Sequence, residues 1–137
     1  MIIAYAFAAA AMQVKPAERL CDASGTTVAV NACLADKLKR ANDRLHRYLQ
    51  AALHRYEGGA EVAVRSGIEA SQKAFEAYRS SECETVFEAW RAGTIRGSMQ
   101  LGCEIDMTDG RTHEIWRHWL EYLDSTPPVL PEPKPTN

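Results

Sequence analysis

No apolar stretch in this chain reaches the length of about 20 residues that a membrane-crossing helix needs. Missing as well is an excess of charge of either sign: 16 Lys and Arg stand against 18 Asp and Glu, a net charge of −2. That balance removes the basic field that would steer a protein to nucleic acid. Aromatics are scarce, with three Phe and three Trp, so the core has to be aliphatic and alanine-rich. There is no phosphate-cradling glycine loop, no G-x-S-x-G elbow and no H-E-x-x-H pair, so the usual signatures of nucleotide and hydrolytic chemistry are absent. Period-two alternation of useful length is also lacking, which predicts no strands. Only one proline, Pro16, lies outside the last eleven residues.

What the chain does have is an even number of cysteines: Cys21, Cys33, Cys83 and Cys103. Four cysteines in a small chain point to a disulfide framework and an oxidising compartment. They leave no odd thiol for catalysis. Separations of 12, 50 and 20 residues lack the clustered C-x-x-C pattern that a zinc site requires. The histidines tell the same story. His46 and His54 are eight apart, His113 and His118 five apart, and neither pair has the i, i+4 spacing of helical metal ligands. Glu82, Glu84 and Glu88 read as surface charges, because nothing beside them specifies a substrate. The expectation is therefore a non-catalytic protein with no cofactor and no metal.

At 137 residues the chain is one domain with two appendages. Residues 1–12 are an uncharged apolar run that fits a signal peptide, with small-residue cleavage options around Ala8 to Ala11, although no Lys or Arg precedes it. Residues 20–124 form the expected helical domain. Residues 125–137 hold five of the six prolines, cannot continue a helix, and read as an extended or disordered, uncommitted tail. The predicted location is periplasmic or secreted.

Between these appendages the apolar positions recur at steps of three and four. Leu34, Leu38, Ala41, Leu45, Tyr48, Ala52 and Leu53 mark a first helix, with Thr26 or Thr27 available as its cap and Gly58-Gly59 as its stop. A second helix spans about 60–91, with Val64, Ile68, Phe75, Tyr78, Val86, Phe87 and Trp90 inward. The chain turns again at 92–97. A third helix, capped by Ser98, runs to about Leu123, with Gly102 and Gly110 as possible bends. The predicted fold is all-α: three helices packed antiparallel, up-down-up, and stapled by two disulfides.

The spacing leaves two connectivities open. In an antiparallel hairpin, residues symmetric about the turn lie opposite one another. Cys33 and Cys83 are symmetric about residue 58, in the Gly58-Gly59 turn, which favours a Cys33–Cys83 bridge with Cys21–Cys103 as its partner. Cys21–Cys33 with Cys83–Cys103 is the alternative, reachable if the second loop centres near Thr94.

Charge is uneven along the chain. Asp36 to Arg55 carries six basic residues and Glu104 to Asp124 six acidic ones, read as neighbouring helix faces that attract each other. Gln72, Arg79 and Glu82 share one side of the second helix, and Thr108 and Arg111 lie on the third where it returns alongside. These five form a candidate polar cluster, structural in character, since an arginine at a helix interface pairs with oxygen acceptors and fixes packing.

These residues resemble the LprI-type lysozyme-inhibitor family of small exported bacterial helical domains. The resemblance rests on Asn31-Ala-Cys33, on Leu38-Lys-Arg-Ala-Asn-Asp-Arg-Leu45 with Tyr48, and on Gln72-Lys-Ala-Phe-Glu-Ala-Tyr-Arg-Ser-Ser-Glu-Cys83. Gly93-Thr94, Cys103, Met107-Thr108 and Arg111 complete it, and it covers about Cys21 to Leu123. The chain departs from the family at three positions: Phe75 where Trp is usual, Asn42 where an acid is usual, and His46 where Asn is frequent. The resemblance implies an exported protein that binds a protein partner, a lysozyme, without catalysing a reaction; a structural or accessory envelope protein is the alternative. In the inhibitor reading the loop Ala92 to Ser98 enters the enzyme's cleft, with Gly93, Thr94, Ile95 and Arg96 as candidate contacts.

Overall fold

The computed structural model describes Cys21 and residues 25–136; the apolar run 1–12 read as a signal peptide lies outside the described residues. Helix α1 spans Thr27–Arg55, α2 Val62–Ala89 and α3 Arg96–Ile115. A three-residue 3₁₀ turn, Gly59–Glu61, precedes α2, and α3 runs on into one wider, π-type turn, Trp116–Leu120. No strand occurs among the described residues.

Local chemistry accounts for the ends of α1. The Thr26 hydroxyl accepts the Ala29 amide at 3.2 Å, and His54 and Arg55 in the last turn suit the negative end of the helix dipole. Past it the chain reverses through Gly59 at φ +56°, a conformation that costs glycine nothing and an L side chain a good deal. Ser98 does not cap α3. That helix starts two residues earlier, and the Ser98 hydroxyl donates instead to Asn31 Oδ1 on α1 at 2.6 Å. Gly102 and Gly110 do not interrupt α3, which is continuous through both.

Helix α3 is the centre of the molecule. It packs along α1 and along α2, whereas α1 and α2 barely touch each other. Asn31 meets Ser98 at one end of the α1–α3 seam, and Tyr56 meets the edge of the Trp119 ring at the other, with centroids 5.9 Å apart. The two helices therefore run in the same direction, and α2 runs against both. Close approach is allowed by small residues. Ala41 and Ala52 are fully buried, and a Cβ on Gly97 would stand 3.0 Å from the Asn31 amide nitrogen. The main cluster holds Leu45, Tyr48, Ala52, Leu53, Ile68, Ile115, Trp116 and Leu120. Two residues assigned inward on α2 by periodicity, Tyr78 and Trp90, face solvent, as does Leu123 beyond α3. Helix α2 covers only one flank of α3, so Tyr78 and Trp90 are left exposed, whereas Ile68 joins the main cluster and Val64 and Phe75 pack against it.

The same wedge settles the disulfides. The bridges are Cys21–Cys33 and Cys83–Cys103, each with Cα atoms 5.6 Å apart, so the favoured Cys33–Cys83 and Cys21–Cys103 pairing is wrong. Symmetry about Gly58 puts Cys33 and Cys83 at one level, but that brings them together only if their helices are neighbours. With α3 between α1 and α2, Cys83 faces Cys103. Those two are symmetric about residue 93, inside the second turn.

The proline-rich segment also departs from expectation. Residues 121–136 form no helix or strand and bend at 123–126 and 129–130, and from Val129 to Thr136 they are docked rather than disordered. They lie back over α1 and α3 as a strap. The Val129 amide donates to the Leu120 carbonyl, and Leu130 packs against the main cluster.

Candidate functional site

Two places merit attention: the polar cluster between the helices and the turn between α2 and α3. The structure assembles four of the five cluster residues. Arg79, half-buried on α2, donates to Thr108 Oγ1 at 2.6 Å on α3 and to Asn42 Oδ1 at 2.9 Å on α1. One guanidinium thus links all three helices. One turn further along the α2–α3 seam, Arg111 donates to Gln72 Oε1 at 3.2 Å and to Ser71 Oγ at 2.7 Å, and lies 3.5 Å from Glu114. Both guanidinium groups stand over Phe75, 5.6 and 5.7 Å from the ring centroid. Glu82 is exposed and takes no part in these bonds.

Gln72 and Thr108 are buried, and the cluster's bonds satisfy them: the Gln72 amide donates to Glu76, and the Thr108 hydroxyl also donates to the Glu104 carbonyl. No buried side-chain nitrogen or oxygen among the described residues lacks a partner. A fully satisfied network of this kind sets helix register and leaves no reactive group over. Asn42 and Ser71 are the partners that spacing did not reveal. Asn42 was visible in the sequence only as a departure from the family's usual acid, and here it is the acceptor for Arg79. Between α1 and α2, where they diverge, an open groove of about 210 Å³ is lined by Asn42, His46, Gln72, Glu76 and Arg79 with Leu45 and Leu49. It contains no nucleophile and no paired acid and base. Among the described residues no group of three or more His, Cys, Asp or Glu is placed to hold a metal.

The second place is the turn at residues 90–95. Gly93 donates its amide to the Trp90 carbonyl at 2.9 Å, closing a tight bend whose base is held by Cys83–Cys103. Trp90 and Ile95 are each 43% exposed at this turn. Arg91, Thr94 and Arg96 are exposed beside them. Arg96 is not at the tip; it opens α3 and its guanidinium lies over Phe87, 4.6 Å from the centroid. Ile95, Ser98 and Met99 share a small cleft of about 220 Å³ with Gly25, Thr27 and Val30 at the start of α1. The turn therefore forms one end of the molecule together with the α1 N-terminus, where Val28 is also exposed.

Residues 21–115 match the family described as lysozyme inhibitor LprI. The chain belongs to the LprI lysozyme-inhibitor family. Neither curated proteins nor solved structures give a match. The LprI match takes in both disulfides, the Arg79 and Arg111 network and the α2–α3 turn, and it ends where α3 ends. The strap lies beyond it.

Proposed function

We propose that this LprI protein is an exported, non-catalytic inhibitor that binds a lysozyme through its α2–α3 turn. Family membership carries the reading, and two disulfides in a small domain suit an oxidising, extracytoplasmic location. The turn supports the choice of surface. Trp and Arg are the residue types most enriched among energetically dominant interface contacts, and Trp90, Arg91 and Arg96 supply them within seven positions. A lysozyme cleft carries a pair of carboxyl groups that cationic side chains can meet. Anchoring the turn through Cys83–Cys103, and Arg96 on Phe87, lowers the ordering cost of binding. Exposed acids on α3 and beyond it, among them Asp106, Glu114 and Glu121, add long-range attraction toward a basic enzyme.

The test is a turbidity assay of lysozyme on bacterial cell walls with the purified, oxidised chain. Inhibition is expected at micromolar concentration against at least one of the chicken-, goose- and invertebrate-type enzymes. A Trp90→Ala, Arg96→Glu double variant should lose it at least tenfold while keeping its helical circular-dichroism signal. No inhibition of any of the three at micromolar excess would refute the proposal and favour an accessory envelope role. Full inhibition by the double variant would refute only the turn as the contact surface.

A further inference from the structure

The strap is bound as a ligand is bound. Its prolines at 131, 133 and 135 carry no amide hydrogen, so what this stretch of backbone chiefly offers is carbonyl oxygens. The face beneath it answers with donors. Trp116 Nε1 donates to the Leu130 carbonyl at 2.9 Å, Tyr48 Oη to the Pro131 carbonyl at 2.7 Å, and the Arg44 guanidinium to the Lys134 carbonyl. Where a backbone donor returns, an acceptor is waiting: Asp109 receives the Thr136 amide at 2.6 Å and the Thr136 hydroxyl at 2.8 Å. His113 Nε2 lies 3.0 Å from Glu132. Aromatic rings that direct N–H and O–H groups at the carbonyls of a proline-rich strand are the chemistry by which extended polyproline segments are recognised.

Receptor and ligand are also separable in the chain. Arg44, Tyr48, Asp109 and His113 lie inside the family match and Trp116 is the next residue after it, while every strap residue lies outside. The connection at 123–128 is exposed throughout and includes Pro127-Pro128. An open cavity of about 480 Å³ remains between α3 and the strap at Pro133 to Pro135, so the strap leaves part of the groove unfilled ahead of the Thr136 anchor.

We propose that the α1/α3 face of this domain is a recognition groove for extended proline-rich peptides, that the strap occupies it in cis, and that a partner protein carrying such a segment binds by displacing the strap. This does not rest on the lysozyme reading, which uses the opposite end of α3.

A protease site inserted between Ser125 and Thr126, cut after oxidative folding and followed by dialysis, frees the groove in an otherwise complete chain. The probe is a fluorescent peptide of residues 127–137, followed by anisotropy. The cut protein should keep its helical signal and bind the peptide at least tenfold more tightly than the intact chain. Tyr48→Phe in the cut protein should weaken binding about fivefold, the value of one hydrogen bond, and a peptide with alanine at all five prolines should bind at least tenfold more weakly. Loss of helical signal on cutting would make the strap a core element and overturn the proposal. Equal binding of the alanine peptide would do the same. A strap-exchanged dimer of the intact chain, seen by light scattering, would assign the groove to a second copy and overturn the partner reading.

Discussion

Removing Cys83–Cys103 should cost more than removing Cys21–Cys33, and by a calculable amount. In the chain-entropy model, bridges across 20 and 12 residues stabilise the fold by about 3.3 and 2.8 kcal/mol respectively at 25 °C. Packing widens the gap. Cys83 has no accessible surface and its Sγ lies 3.6 Å from Met107 Sδ, so alanine there leaves a void worth about 1 kcal/mol. Cys21 and Cys33 are only half-buried, and their loss opens no comparable space. A Cys83→Ala, Cys103→Ala variant is therefore expected to lose about 4 kcal/mol, and the Cys21→Ala, Cys33→Ala variant about 3 kcal/mol. At roughly 4 °C per kcal/mol for a domain of this size, Tm falls by about 16 °C in the first and about 12 °C in the second. Thermal unfolding followed by far-UV circular dichroism measures both. An equal or larger fall for the Cys21–Cys33 variant would refute the packing argument. Recovery of a Cys33–Cys83 peptide from a non-reducing digest would refute the connectivity itself.

Arg79→Met should lower stability by about 2 kcal/mol in urea denaturation, because it removes charged hydrogen bonds to both Asn42 and Thr108. Asn42→Asp should raise stability by about 1 kcal/mol, since a carboxylate turns the neutral acceptor of Arg79 into a charge-assisted one; no gain in the denaturation midpoint would argue against that geometry. Thr126 donates to the Asp124 carboxylate from its hydroxyl and then its amide, which holds that carboxyl below its usual 3.8. A depressed pKa means that the contribution is complete above pH 3.8 and is lost as pH falls through the lower folded-state value. Carboxyl NMR titration should place Asp124 below its usual value, and Thr126→Ala should move it upward.

How much of this was legible in the sequence depended on range. Steps of three and four residues located all three helices, Thr26 and Gly59 marked the ends around the first, and the spacing of Gln72 and Arg79 foretold a seam that Thr108 and Arg111 complete. Periodicity says which residues share a face, however, and is silent on what covers that face. Tyr78 and Trp90 fall on the α2 stripe as regularly as Ile68 does, yet only Ile68 finds a neighbour. The same silence misled the cysteine pairing, since Cys33 and Cys83 are level but not adjacent. Proline content predicted an extended or disordered tail from residue 125. It could not predict docking, because the donors that hold it, Tyr48 Oη and Trp116 Nε1, sit on side chains that otherwise read as core.

The placement of α3 between α1 and α2 has a consequence for the order in which the chain can assemble. Asn31 must wait for Ser98, and Tyr56 for Trp119, so most of the first helix's packing waits until almost the whole domain has been delivered. A chain threaded from one end thus stays loose while it is being threaded. The cysteines follow a different clock. Each pairs with the very next one along the chain, so an oxidant meeting them in order of arrival would join the native pairs first, before any helix has docked. Covalent closure can precede folding here without trapping a wrong partner.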